Sequence, residues 1–99
     1  MLTNEKVLEV FKDFLSADDT YEVVMTSRGY TVLNGEDGQE EWYGATICPT
    51  PDKLRDALLR GYEEHLTYLA HKDDMERDLT KEEEQAIENQ CCAILKKCK

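Results

Sequence analysis

Between Thr20 and Ile47 the chain carries three runs rich in β-branched and aromatic residues, joined by connections too short for anything but antiparallel pairing. In Thr20 to Ser27 (TYEVVMTS), Tyr21, Val23 and Met25 alternate with Glu22, Val24 and Thr26, which is the period of a strand. Arg28-Gly29 is a turn in which glycine can supply a positive φ, and Tyr30-Thr31-Val32-Leu33 reads as a short second strand. Asn34-Gly35-Glu36-Asp37-Gly38 is the strongest turn signal in the chain. A third strand follows from about Glu40 to Ile47, with Trp42, Tyr43, Ala45 and Ile47 as its expected packing residues. Parallel neighbours would need crossovers of about a dozen residues, so these runs form an antiparallel meander.

Helical patterns flank the strands. From Thr3 to about Ser16, Val7, Val10, Phe11, Phe14 and Leu15 recur at helical spacing with Glu9, Lys12 and Asp13 opposite, and Thr3 or Asn4 can cap the first turn. Cys48-Pro49-Thr50-Pro51-Asp52 leaves the sheet and opens a second helix whose apolar stripe is Leu54, Ala57, Leu58, Gly61, Tyr62, Tyr68 and Leu69, with His65 in its middle. The charged segment Lys72 to Leu79 interrupts the pattern. Thr80-Lys81-Glu82-Glu83 then has the form of a capping box, opening a last helix with Ile87, Cys91, Ile94, Leu95 and Cys98 on one face. The expected fold is a single α+β domain over residues 1–99: a helix, a three-stranded antiparallel sheet and two helices packed on one sheet face, αβββαα. Helices in so short a chain cover one face of the sheet, and the other stays partly open. Which aromatics lie there depends on register, because Trp42 and Tyr43 point in opposite directions along an unbroken strand.

Composition narrows the partners. The 99 residues hold 22 acids against 12 Lys and Arg, a net charge of −10. That excludes a nucleic-acid binder working through general phosphate attraction, and it disfavours docking on an anionic membrane. The longest apolar runs fall far short of a membrane span, and Met-Leu-Thr-Asn-Glu-Lys lacks the order of a signal peptide. A cytoplasmic location is expected. Cys48, Cys91, Cys92 and Cys98 lack the spacing of a metal knuckle, so free thiols are the expectation, with Cys92 off the apolar stripe and exposed.

No motif points to catalysis. His65 and His71 are six apart and cannot share a helix face as a metal pair, so His65 reads as packed and hydrogen-bonded and His71 as a surface residue. There is no serine elbow and no phosphate-cradling glycine loop, and a non-enzymatic protein without metal or cofactor is expected. An enzyme would show itself by a pocket that gathers several perturbed carboxylates around His65.

Charge placement is more informative. Residues 1–47 hold ten acids and three bases, hence −7; residues 48–80 hold eight and five, hence −3; residues 81–99 balance at zero. Two clusters stand out, Glu36, Asp37, Glu40 and Glu41 at the second hairpin and Asp73, Asp74, Glu76 and Asp78 before the last helix. Carboxylates beside Trp42 and Tyr43 suit a contact surface in which acids steer a basic partner and an aromatic anchors it. The candidate partner-binding residues are Glu36, Asp37, Gly38, Glu40, Glu41, Trp42, Asp73, Asp74 and Glu76.

The acidic hairpin Asn34-Gly35-Glu36-Asp37-Gly38-Gln39-Glu40, the size, the charge and the element order resemble those of the small type II anti-CRISPR proteins of phages and mobile elements. Such inhibitors occupy the DNA-binding surface of an RNA-guided nuclease. The resemblance implies an inhibitor that mimics DNA charge before a basic cleft, with Asp37, Gly38 and Glu40 as the positions carried over and Asp73-Asp74-Met75-Glu76 as a second patch, similar in placement. The expected partner is thus a basic protein surface, a nucleic-acid enzyme foremost, with the chain monomeric or dimeric. The alternative is an accessory protein-interaction domain that docks through its open sheet face and whose acidity serves only solubility.

Overall fold

The computed structural model describes residues 1–35 and 42–99. Six elements follow one another as α1 (Asn4–Ala17), β1 (Tyr21–Thr26), β2 (Gly29–Gly35), β3 (Trp42–Cys48), α2 (Pro51–His71) and α3 (Lys81–Lys97). The order is the αβββαα α+β arrangement read from the sequence. Each helix begins where a threonine hydroxyl accepts a backbone N–H of the first turn: Thr3 from Lys6, Thr50 from Lys53 and Thr80 from Glu83. At α3 the capping box is complete, because the Glu83 carboxylate accepts the Thr80 N–H in return at 2.9 Å.

The sheet order is β1-β2-β3, antiparallel throughout. Gly29 closes the first hairpin at φ 119°, and a Cβ there would lie 3.3 Å from the Cys48 carbonyl oxygen, so both the turn and the crowding favour glycine. α2 is the element that touches β2, β3, α1 and α3 alike. Its Leu54, Ala57, Leu58 and Gly61 are buried with Val7, Phe11 and Phe14 of α1, Val32 and Cys48 of the sheet, and Ile94 and Cys98 of α3. Helices and sheet thus make two layers around one core.

Register decides which sheet residues enter that core. Val23 pairs with Val32 and Val32 with Thr46, while Tyr30 faces both Met25 and Cys48. The row turned towards α2 is therefore Tyr21 and Val23, Tyr30 and Val32, and Thr46 and Cys48. The opposite row is Glu22, Val24 and Thr26, Thr31 and Leu33, and Ala45 and Ile47.

This corrects the expected packing of the third strand. Trp42, Tyr43, Ala45 and Ile47 do not supply the core; all four are exposed, Trp42 and Ile47 each to 44 %. Pairing with Val32 and Tyr30 brings Thr46 and Cys48 to the α2 side instead, and parity sends Ala45 and Ile47 to the open face. The register also shifts between Asn34 and Gly35, so that Asn34 faces Gly44 while Gly35 faces Trp42. A simple alternation of Trp42 and Tyr43 across the sheet is therefore broken. On the open face Thr31 is only 3 % exposed, flanked in register by Val24 and Ile47, with its hydroxyl 3.3 Å from that of Thr26.

The stripe of α2 also ends earlier than expected. Tyr68 and Leu69 are exposed, because a helix of 21 residues spans roughly 31 Å whereas a seven-residue strand spans roughly 23 Å. The last turns of α2 outrun the sheet they cover.

The two faces predict different responses to truncation. Leu58→Ala should cost about 3 kcal/mol of unfolding free energy, as a fully buried leucine does. Ile47→Ala should cost less than about 1 kcal/mol. Urea titrations of both variants check the assignment, and equal losses would place Ile47 in the core.

Candidate functional site

Where α1 ends, the chain makes a corner built on one carboxylate. Asp18 leaves the helix in an extended conformation, and its Oδ1 accepts both the N–H and the hydroxyl of Thr20. Its Oδ2 lies 2.9 Å from Nδ1 of His65 on α2, with only 14 % and 13 % of the two side chains exposed. Burial by itself raises the Asp18 carboxyl, but the bonds from Thr20 and His65 prevail and hold it below the ordinary carboxylate range. Facing an ionised carboxylate, Nδ1 of His65 carries the hydrogen and donates it. The imidazole is fixed from its other side by the ring of Phe14, 5.4 Å away between centroids.

A second pair stands beside the first. Tyr21, the first residue of β1, donates its hydroxyl to Oε2 of Glu64, one position before His65. Burial, and next the Glu64 carboxylate, push the phenol far above its ordinary value, so it remains a donor. Gly61 makes room for this ring: a Cβ there would sit 2.9 Å from Cε1 of Tyr21. One turn along the helix, Glu64 meets the tyrosine hydroxyl.

Together these groups line an open cleft of about 530 Å³ between the end of α1, the start of β1, the end of β2 and α2. Its walls carry Asp18, Asp19, Thr20, Tyr21, Glu64 and His65, with Tyr68 and Leu69 at the apolar side. Among the described residues that line it there is no lysine or arginine, and Arg60 lies in the adjoining cavity with Glu64 and Tyr21. Among the described residues no three His, Cys, Asp or Glu side chains come together as metal ligands.

His65 is packed and hydrogen-bonded as its place in the stripe suggested, but Asp18, Tyr21 and Glu64 were not singled out by the sequence. The one available signal was a histidine inside an apolar stripe, which needs a polar partner. That partner lies 47 positions away. His71, by contrast, donates Nδ1–H to the Thr67 carbonyl at the end of α2.

Of the expected contact residues, Glu36, Asp37, Gly38, Glu40 and Glu41 lie outside the described residues. Trp42 stands exposed at the start of β3, paired with Gly35, which itself borders the cleft. Asp73, Asp74 and Glu76 are exposed in the connection between α2 and α3, but two of them also hold that connection together. Asp73 accepts from Arg77, and the Asp74 carboxylate accepts the Glu76 N–H at 3.1 Å. Arg77 also grips Glu83 with both guanidinium nitrogens and the Ala70 carbonyl with one. The Arg77 hydrogen bonds, then the Thr80 N–H, lower the Glu83 carboxyl to about 2.

All four cysteines are free, and burial pushes the thiols of Cys48, Cys91 and Cys98 upward, which favours their protonated form. Cys92 is exposed, as expected. Among the described residues no helix is long and apolar enough to cross a membrane. Comparison with protein-family models, with curated proteins and with solved structures found no match.

The Asp18 corner carries a pH signature. Its carboxyl is lowered on folding, so its contribution is complete above the unfolded value near ~4 and is lost as pH falls through the folded value. Asp18→Asn should therefore destabilise by about 1 kcal/mol at pH 7 and by much less near pH 2. Urea midpoints at the two pH values measure this, and an unchanged difference would mean that ionisation of Asp18 contributes nothing.

Proposed function

We propose that this protein is a non-enzymatic acidic binding module that occupies a basic surface of a partner protein, using the open face of its sheet as the contact. The exposed apolar side chains at the β3 edge of that face carry the reading. Ile47 and Ala45 are exposed there beside half-buried Val24 and Leu33, and Trp42 stands exposed at the start of the same strand. Exposed apolar side chains grouped on one sheet face mark a contact surface.

The sequence half that contains this sheet carries −7 of the net −10. Carboxylates around an apolar centre accelerate encounter with a basic surface and reject acidic ones, while the apolar centre provides the buried contact. A nucleic-acid enzyme is the partner class with the matching chemistry, because its cleft is basic in order to hold phosphate. In this reading the chain competes with nucleic acid for that cleft, as the anti-CRISPR resemblance implies, and cytoplasmic DNA-acting enzymes are its targets. The second reading, an interaction domain in which only the sheet face matters, rests on the same apolar row and differs in its salt dependence.

The immobilised chain, exposed to a nuclease-treated bacterial lysate, should retain a basic protein that duplex DNA displaces. Raising NaCl from about 0.05 to 0.5 M should release most of it, since a screening length of ~4 Å leaves little steering. Asp37→Lys with Glu40→Lys should abolish capture, and Ile47→Ser should weaken it several-fold. Capture that survives charge reversal and salt but not Ile47→Ser would overturn charge mimicry in favour of the second reading.

A further inference from the structure

The cleft beside His65 has walls suited to one class of ligand, and nothing in the contact surface just described uses them. Asp18, Asp19 and Glu64 contribute three carboxylates; among the described lining residues His65 is the single group able to carry a positive charge, and Arg60 stands outside the cleft, in the adjoining cavities it shares with Glu64. Asp18 is committed to Thr20 and His65, whereas Glu64 is held through Oε2 alone, by Tyr21. That bond fixes the carboxylate in place before any ligand arrives, which lowers the ordering cost of binding.

A second observation is independent of the charges. Tyr68 and Leu69, 53 % and 44 % exposed, form an apolar wall on the same cleft, and the ring of Tyr21 closes it from the sheet side. Carboxylates beside aromatic faces and an aliphatic side chain match a cation that has a flat head and an apolar stem. A guanidinium meets these requirements better than an ammonium, since it is planar, stacks on tyrosine and gives up its hydration more easily. A cleft of about 530 Å³ admits one such side chain.

We propose that this cleft binds an alkylguanidinium, the head and stem of an arginine side chain presented by the basic partner. The head lies against Glu64 and Asp19, and the stem lies along Tyr68 and Leu69. Gly35 borders the cleft and pairs with Trp42, so an arginine seated here belongs to a partner that also meets the end of the sheet. The inference deepens the proposed function and rests on it for the source of the arginine; the cation site itself stands on the cleft.

The test titrates the full-length chain with N-acetyl-arginine amide, at constant ionic strength, and follows backbone amide shifts. A saturable response at Asp19, Thr20, Gly35, His65 and Tyr68 is expected, about fivefold tighter than for the neutral isostere N-acetyl-citrulline amide. Glu64→Gln should weaken arginine amide about fivefold and leave the citrulline compound unaffected, and Asp19→Asn, which removes no hydrogen bond of the fold, should act in the same direction. Equal response to the two compounds, or shifts that never saturate and scatter over the surface, would overturn the cation site. Saturation by arginine amide without capture of any basic protein would keep the cation site and remove the partner as its source. Capture that persists while the cleft stays silent would do the reverse.

Discussion

The burial of one face of α2 is the interaction on which the rest of the structure depends. Leu54 and Leu58 are fully buried, and around them converge side chains from α1, the sheet and α3. A small sheet needs a hydrophobic face or a helix packed on it to be stable in water, and helices of 14 to 21 residues gain most of their stability from an apolar face that is covered. α2 answers both needs at once. Because it is longer than the strands, it also carries Tyr68 and Leu69 past the sheet, and with Glu64 and His65 they meet the corner where α1 turns into β1. The cleft is thus a by-product of the same helix that makes the core.

Placing the helices on one side leaves a consequence on the other. The opposite face carries Val24, Leu33, Ala45 and Ile47 beside Glu22 and Thr26, and its buried Thr31 is flanked in register by Val24 and Ile47. An apolar sheet face is a hazard unless something limits what approaches it. The excess acid in this half of the chain makes like-charged copies repel, and in the proposed reading it favours basic partners. In the proposed reading, charge and exposed apolar surface form one arrangement in which the first selects and the second binds.

Much of the fold was legible because its signals are local. The threonine caps, the capping box at Thr80 and Glu83 and the Gly29 turn each act within about four residues, and the structure has all of them. Legibility stopped where parity mattered. Trp42, Tyr43, Ala45 and Ile47 look like a packing strand when read alone, yet whether they face in or out is set by Val32 and Tyr30 on the neighbouring strand. A shift of one residue inverts every side chain, and the hydrophobicity of β3 by itself carries no information about the choice.

The sequence by itself thus determined the elements, their order, the antiparallel pairing and the acidity, since short connections and local caps leave the chain no other course. Only the tertiary structure decided which sheet face is open and which residues surround His65. Asp18 is 47 positions from His65, and Tyr21 is 43 from Glu64. These pairs exist because the first strand, leaving α1 through the Asp18 corner, comes to lie beside the glycine of α2 that leaves space for a tyrosine ring. Such proximity follows from how whole elements stack, which no local pattern encodes.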